Sequence, residues 1–428
     1  MSSALQNRAR KYSVPINSTI ICPNCWIRFP PQDILWIAAH PSLRGDPTLG
    51  PDSAIRFLPT RFNVLGNALD SKGANCDRTA CPRCRLPVAR ACIENRPIFL
   101  SIAGTPSCGK SFLLASMSHQ TRNTLPAKFK VSFQDADPAC NLVLHGYEEQ
   151  LFYSPEPSRP VRLKKTEEQG DDYVATKLDG NLVQLVSPFL FSVKPANGHL
   201  SESKSDTLSR VIAMYDNAGE SFAPGRDAAD NPVTRHLGQS MAVLFCYDPM
   251  QDARLRAKLV GKTNDLQATS QAVNARQETI LYEVMQRIRK LRGMSQSEST
   301  ERPLLLLVTK YDAWHSLLPD TDLRLVDPFI QRSDGQSAID LRVVREISRR
   351  TRDMLFGTSP DLVTAVESFS TNPWFIPVSA TGAPPKMDEA TGISGVRPCD
   401  LQPIWCDIPL LVAMSLAGIG LVPFVDSK

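Results

Sequence analysis

The chain has 428 residues, 42% of them hydrophobic and 21% charged, with a formal net charge of +4. That length exceeds one small domain, and the composition is that of a globular chain able to bury a sizeable core. So slight a charge excludes a polyanion binder working through bulk charge, and any nucleic-acid contact has to come from a local patch.

Residues 1–20 have no apolar run and read as a flexible lead-in rather than a signal peptide. Residues 21–95 are broken by Pro, Gly and paired cysteines, and five of the chain's eleven cysteines, Cys22, Cys25, Cys76, Cys81 and Cys84, fall in the first 84 residues. Such clustering favours a metal site in a reducing, cytoplasmic setting over a disulfide framework. Cys22-Pro-Asn-Cys25 and Cys81-Pro-Arg-Cys84 are two C-P-x-C knuckles. Together they offer four thiolates in the tetrahedral set that Zn²⁺ prefers, with no open position, so the expected metal is structural. The 55 residues between the knuckles exceed ordinary ribbon spacing and imply a looped-out insertion, with Cys76 as a spare ligand. Arg56, Arg61, Arg78, Arg83 and Arg85 give this module a basic tint. Trp36, Phe57 and Phe62 could stack on bases, but so small a module needs its aromatics inside, and a core role is the expectation.

From Arg96 onward the pattern changes. An apolar strand at 98–103 leads into a helix that starts at Ser111. Residues 135–180 are polar and Pro-rich, and predict a long surface insertion. Strand-like runs follow at 181–193, 208–216 and 241–248, then a helix ending near Gly293 with Ile280, Leu281, Val284, Met285, Ile288 and Leu291 on one stripe. The run 304–310 is nearly all apolar, as a central parallel strand should be. A helix near 339–356 carries Leu341, Val344, Ile347 and Leu355 inward and five arginines outward, and a strand lies at 374–379. Ile408–Val425 has 18 residues without a charge, at the lower limit for a membrane span. Pro409, Pro423, Gly418, Gly420 and flanking acids favour a buried helix there, and no membrane contact is expected. Alternating strands and helices predict a doubly wound α/β sheet over 96–428, preceded by a small zinc-ribbon-like module.

Gly104-Thr105-Pro106-Ser107-Cys108-Gly109-Lys110-Ser111 fits G-x-x-x-x-G-K-[ST] at every fixed position, directly after a buried strand and opening a helix. Such a loop turns backbone N–H groups toward a phosphate, which the glycines let approach closely. Lys110 would bring its charge to the β- and γ-phosphates, and the Ser111 hydroxyl would ligate Mg²⁺. Cys108 reads as a small residue that fits, and Phe112 completes this nucleotide-binding set on the first helical turn.

Three later stretches resemble the elements of P-loop GTPases. Asp216-Asn217-Ala218-Gly219 looks like D-x-x-G, which implies Asp216 on Mg²⁺ through water and the Gly219 N–H on the γ-phosphate. Thr309-Lys310-Tyr311-Asp312 matches [NT]-K-x-D, with Thr309 where Asn is commoner. A carboxylate at Asp312 can accept from N1–H and the exocyclic amine of guanine, a pair of donors that adenine lacks. Ser379-Ala380-Thr381 resembles the S-A-[KL] element that contacts the guanine oxygen. With its fused cysteine module, the chain resembles GTPases of the translation-factor-related (TRAFAC) class found in bacterial multi-gene systems, including conflict systems, and among them the double-GTPase domain families. That likeness implies GTP and GDP as ligands, a protein effector or activating partner, and two switch segments. Thr166 is the candidate first-switch threonine, with Thr176 and Thr207 as rivals. Glu220 stands where many relatives place a water-orienting glutamine, which implies slow hydrolysis, and Arg226 is a candidate charge stabiliser in cis. Two rival readings stay open: a nucleic-acid adaptor acting through the ribbon, and a pseudo-GTPase without turnover.

Overall fold

The computed structural model describes residues 17–163, 173–222, 232–265, 267, 276–387 and 394–426. At its centre is a mixed seven-stranded sheet. Its strands in chain order are β1 (Arg96–Gly104), β2 (Val131–Asp135), β3 (Phe189–Pro195), β4 (Arg210–Asp216), β5 (Ala242–Tyr247), β6 (Leu304–Val308) and β7 (Pro373–Pro377). The spatial order is β2-β3-β4-β1-β5-β6-β7. Strands β4, β1, β5, β6 and β7 run parallel, while β3 is antiparallel to β4 and β2 antiparallel to β3. All five residues of β6, Leu-Leu-Leu-Leu-Val, are buried, because a central parallel strand is covered on both faces.

Helices α1 (Lys110–Thr124), α2 (Leu142–Phe152), α3 (Gln277–Arg292), α4 (Leu341–Phe356), α5 (Pro360–Phe369) and α6 (Ile408–Leu416) complete the layers. In α4 the expected division holds: Leu341, Val344, Ile347 and Leu355 are buried, and the arginines pair outside with Asp340, Glu346, Asp353, Glu367 and Asp426. The Asp340 carboxylate caps the helix by accepting from the Arg342 amide at 3.0 Å. Gly293 closes α3 in the left-handed region at φ 66°. Leu291, at the C-terminal end of that stripe, is 40% exposed and leans on Gly238 instead of entering the core.

Three expectations are corrected. The 135–180 stretch is not simply an exposed insertion: it contains α2, whose Leu144 and Leu151 are buried in the main core. It also supplies the strand Tyr173–Leu178, which pairs with Asn181–Val186, so the 181–193 run is two strands rather than one. The C-terminal apolar run is a buried helix only to Leu416; beyond it, Gly418 and Gly420 take left-handed conformations and Phe424–Val425 pairs with Ile339–Asp340. Among the described residues no helix is long and apolar enough to cross a membrane.

Alternation along β4 decides what covers each side of the sheet. Ile212 and Met214 enter the main core, whereas Val211, Ala213 and Tyr215 join Phe99 of β1 and Leu190 of β3 against the other side. There they meet the hairpin 173–186 and the cysteine module, with Cys22, Cys25, Cys81 and Cys84 in the same cluster. Beyond the knuckles, a four-stranded sheet orders Pro87–Val88, Thr79–Ala80, Leu35–Ile37 and Arg56–Phe57. Its core is Leu35, Ile37 and Ala80. Phe62 is 54% exposed, edge-on to Trp36 at 6.3 Å, so the expected core role fails for that residue.

Leu306, fully buried in β6, tests the weight of this central packing. Leu306→Ala should lower unfolding stability by about 2–5 kcal/mol, from lost transfer energy plus a cavity, as read from denaturant midpoints.

Candidate functional site

The loops after the parallel strands meet at one end of the sheet. Gly104 ends β1, Asp216 ends β4, Asp248 follows β5, Thr309 to Asp312 follow β6, and Ser379 follows β7. Strand β1 lies between β4 and β5, where the strand order reverses, and open α/β sheets form their ligand crevice outside such a point.

The 104–111 loop is shaped by close contacts. A Cβ on Gly104, whose φ is 152°, would stand 2.7 Å from the Cys246 carbonyl oxygen and 2.9 Å from Cys108 Sγ. Ser107 and Gly109 both lie in the left-handed region, which curls the loop back into α1. Lys110 Nζ donates to the carbonyls of Gly104 at 3.1 Å and Thr105 at 3.0 Å. Gln251 accepts from the Thr105 hydroxyl at 2.9 Å and donates to the Pro106 carbonyl at 3.0 Å, bracing the loop from the side. Cys108 is fully buried; a hydrogen bond from Cys246 outweighs burial and, with Lys110 nearby, pulls its thiol down to about 7.

The 216–219 turn presses directly on this loop. A Cβ on Gly219 would sit 2.5 Å from the Pro106 nitrogen and 2.7 Å from the Thr105 carbonyl carbon. No side chain fits there. Asn217 is fully buried, donates to the Val233 carbonyl at 3.2 Å, and accepts from His236 Nε2 at 3.1 Å. Since the Asn217 oxygen can only accept, His236 carries its proton on Nε2, and its Nδ1 accepts from the Ser101 hydroxyl at 2.5 Å.

Farther along, Thr309 ties the β6 end to the first loop, its hydroxyl reaching the Cys108 carbonyl at 3.1 Å. Lys310 takes a left-handed φ of 57° and donates to Asp248 Oδ2 at 2.6 Å and to Gln267. Burial would lower Lys310, but the Asp248 carboxylate prevails and raises it. Asp312 accepts from the Ser379 hydroxyl; burial pushes its carboxyl up, and that hydrogen bond partly offsets the push. Gly382 donates its N–H to Ser379 Oγ at 2.8 Å and has no room for a Cβ, which would stand 2.0 Å from the Gln402 carbonyl oxygen. Ala380 anchors the turn by accepting from Ser116 of α1 at 2.7 Å.

Between these groups lies a cavity of about 380 Å³. Ser107, Cys108, Gly109, Phe112, Thr309, Lys310, Asp312, Ser379 and Ala380 line it, whereas Lys110, Ser111, Asp216 and Gly219 lie outside its lining. Val161 and Arg162 form a roof with Ser394–Val396, held by a two-way backbone bridge between Val161 and Val396 at 2.8 and 3.0 Å. Sequence reasoning missed Asp248, Gln251, Asp265, Gln267 and the roof. Asp248 alone left a signal, an acid ending an apolar strand as Asp216 does.

The cysteine centre is a second, separate constellation. Cys22, Cys25, Cys81 and Cys84 are buried and their sulfurs all lie within 4.8 Å of one another. Cys22–Cys84 and Cys25–Cys81 separations are 3.7 and 3.6 Å. A tetrahedral ion with metal–sulfur bonds of about 2.3 Å requires sulfur–sulfur edges of about 3.8 Å, so the four thiols match a closed metal site. Both knuckles share one backbone form. Trp26 and Arg85, each one residue past its second cysteine, have φ 58° and 60° and donate N–H to Cys22 and Cys81 carbonyls at 3.0 Å. In each knuckle the residue two past the first cysteine (Asn24 or Arg83) donates N–H to that cysteine's sulfur at 3.4 Å. Cys76 is buried elsewhere, against the Ala74 carbonyl, and is no spare ligand.

Thr166 and Arg226 lie outside the described residues, and of Glu220 only the backbone, in the turn Gly219–Phe222, is described. Of the rivals to Thr166, Thr207 is exposed, and Thr176 is buried with its hydroxyl on the Cys84 carbonyl at 2.7 Å. No family model and no curated protein matches this chain.

His236 gives the site a pH signature. It is fully buried and burial depresses it to about 3, so the folded protein holds it neutral while the unfolded chain protonates it below about 6.5. Its contribution to stability is therefore complete above about pH 6.5 and is lost as pH falls toward 3, by up to about 1.4 kcal/mol per pH unit. Urea midpoints between about pH 7.5 and 5 should show this slope, and His236→Asn should remove it.

Proposed function

We propose that the chain is a GTP-binding switch that hydrolyses GTP slowly, is stimulated by a protein partner, and carries a structural Zn²⁺ on its four cysteines. One observation carries the nucleotide reading: four sequence elements, each ending its own parallel strand, surround or buttress one cavity. In this reading Ser107 to Ser111 cradle the phosphates with backbone N–H groups, and Lys110 adds charge at their far end. Asp312 accepts from the guanine edge, Lys310 lays its aliphatic stem along the base, and the backbone at Ser379–Ala380 meets the guanine oxygen. The Ser379 hydroxyl on Asp312 orients the carboxylate for that task. Ser111 and Asp216 are the hard oxygen donors that Mg²⁺ takes, and both flank the phosphate end. Bound there, Mg²⁺ would neutralise charge on the β- and γ-phosphates.

Slow turnover follows from Glu220, an acid where water-orienting glutamine would serve and where it would repel the γ-phosphate. The rival nucleic-acid reading has less support. Arg83 is spent on Asp179, Arg85 on Asp46, and Arg56 on backbone carbonyls of Ala54 and Arg85.

Base preference tests the nucleotide reading. Wild-type protein should bind a fluorescent GTP analogue that GTP displaces and ATP does not. Asp312→Asn exchanges an acceptor oxygen for a donor, and should lose roughly two orders of magnitude in GTP affinity while gaining affinity for xanthosine triphosphate. Equal binding of ATP and GTP by wild type would reject the guanine assignment. The metal reading is tested separately. Elemental analysis of reduced protein should find about one Zn²⁺ per chain, lost in the Cys22→Ser, Cys25→Ser double variant.

A further inference from the structure

We propose that the four-cysteine centre positions the 216–219 turn, so that metal binding and nucleotide binding are linked through Tyr215. The nucleotide half of this inference rests on the GTP-binding function proposed above; the positioning half rests on the metal reading alone.

Both knuckles reach the turn. Tyr215 is fully buried, and its hydroxyl donates to the carbonyl of Pro23, inside the first knuckle, at 2.5 Å. The same oxygen accepts from Trp26 Nε1 at 3.0 Å, and Trp26 directly follows Cys25. One knuckle therefore holds the phenol as donor and as acceptor. From the second knuckle, the Cys84 carbonyl accepts from Thr176 on the hairpin strand Tyr173–Leu178. The first residue of that strand, Tyr173, accepts from the Ala218 amide at 3.2 Å. Between these anchors the Tyr215 ring stacks on His236 at 4.8 Å and 13°, and His236 holds Asn217. Gly219 abuts Pro106. Tyr215, Asn217, Ala218 and Gly219 are thus each fixed from outside the turn, and Asp216 is carried between them.

The knuckles themselves depend on the metal. Binding free energy at a structural thiolate site is folding free energy, because the site is not preformed without the ion. Left-handed backbone at Trp26 and Arg85 is costly for residues with side chains, and ligation of one ion by both knuckles would offset that cost. A metal-free knuckle would release Pro23 and Trp26 from Tyr215, and the turn would lose its register on the 104–111 loop. Linkage then runs in both directions: whatever the metal does for nucleotide affinity, the nucleotide does for metal affinity.

Hydrogen exchange on the full chain tests the positioning half without any nucleotide. Stripping the metal with a chelator should lower protection of the Met214 to Gly219 amides at least tenfold, while amides of β6 and β7 keep theirs. Unchanged protection across 214–219 would overturn the proposal. Tyr215→Phe, purified with metal bound, should release it to a chromogenic chelator at least fivefold faster than wild type. Trp26→Phe removes one donor alone and should act in the same direction, should Tyr215→Phe fold poorly. In wild type, a saturating non-hydrolysable GTP analogue should slow metal release, and both variants should lose more affinity for that analogue than for GDP. Tight nucleotide binding with no effect on metal release would refute the linkage. Failure to bind GTP at all would reject the function proposed above and this nucleotide half with it, leaving the exchange result to decide the positioning.

Discussion

The contact on which the rest depends is backbone against backbone: Gly219 resting on Thr105 and Pro106. That contact joins the loop after β1 to the loop after β4, and a methyl group would separate them. Parallel pairing of β1 with β4, in register from Arg96↔Arg210 to Ile102↔Asp216, brings the two strand ends to one level. Gln251 and Thr309 then lock the 104–111 loop from the β5 and β6 sides. The loop is therefore braced by contacts within the chain, and bracing of that kind lowers the ordering cost of binding.

Strand β4 is where the two halves of the chain meet. Its even-numbered side chains pack with the helices, and its odd-numbered ones with the cysteine module and its companion hairpin. A module of this size buries little apolar surface by itself, so a shared cluster with the sheet adds what it lacks. The same alternation puts Tyr215, which reaches the cysteine knuckles, beside Asp216, which begins the 216–219 turn. A short strand thus separates the two constellations by a single residue.

What could be read from the sequence was whatever needs contiguous residues. The knuckles and the 104–111 loop are fixed by local backbone geometry, so their residue types stand at fixed spacing, and the structure brings each set together. The parallel strands were legible from their unbroken apolar runs, because both faces are covered. Residues 135–180 misled, since prolines and charges at either end hide α2, whose inward side rests on only a few residues such as Leu144 and Leu151. Gln251 and Gln267 were invisible for a different reason. They act on the Thr105 hydroxyl and on Lys310 from 146 and 43 residues away, and nothing local marks such a partner. Phe62 failed because the core of the four-stranded sheet is aliphatic, made by Leu35, Ile37 and Ala80, while the module's buried aromatic, Phe29, packs with the cysteine cluster.

The polarity of the cavity narrows what it suits. Two lysines line or flank it, and they are not equivalent. Lys310 is paired with the fully buried Asp248, so it adds little net charge and presents mainly its hydrocarbon stem. Lys110, outside the cavity's lining, hydrogen-bonds two neutral carbonyls of the loop that turns through left-handed positions at Ser107 and Gly109. At the Lys310 end stands Asp312, an acceptor whose carboxyl is held by Ser379. The proposed ligand matches these groups: its phosphates would meet the 104–111 loop, and guanine would offer Asp312 its adjacent N1–H and amine. Adenine has only its amine to offer there, and inorganic phosphate has no base at all. That chemical matching, more than any one motif, is the physical argument for the proposed function.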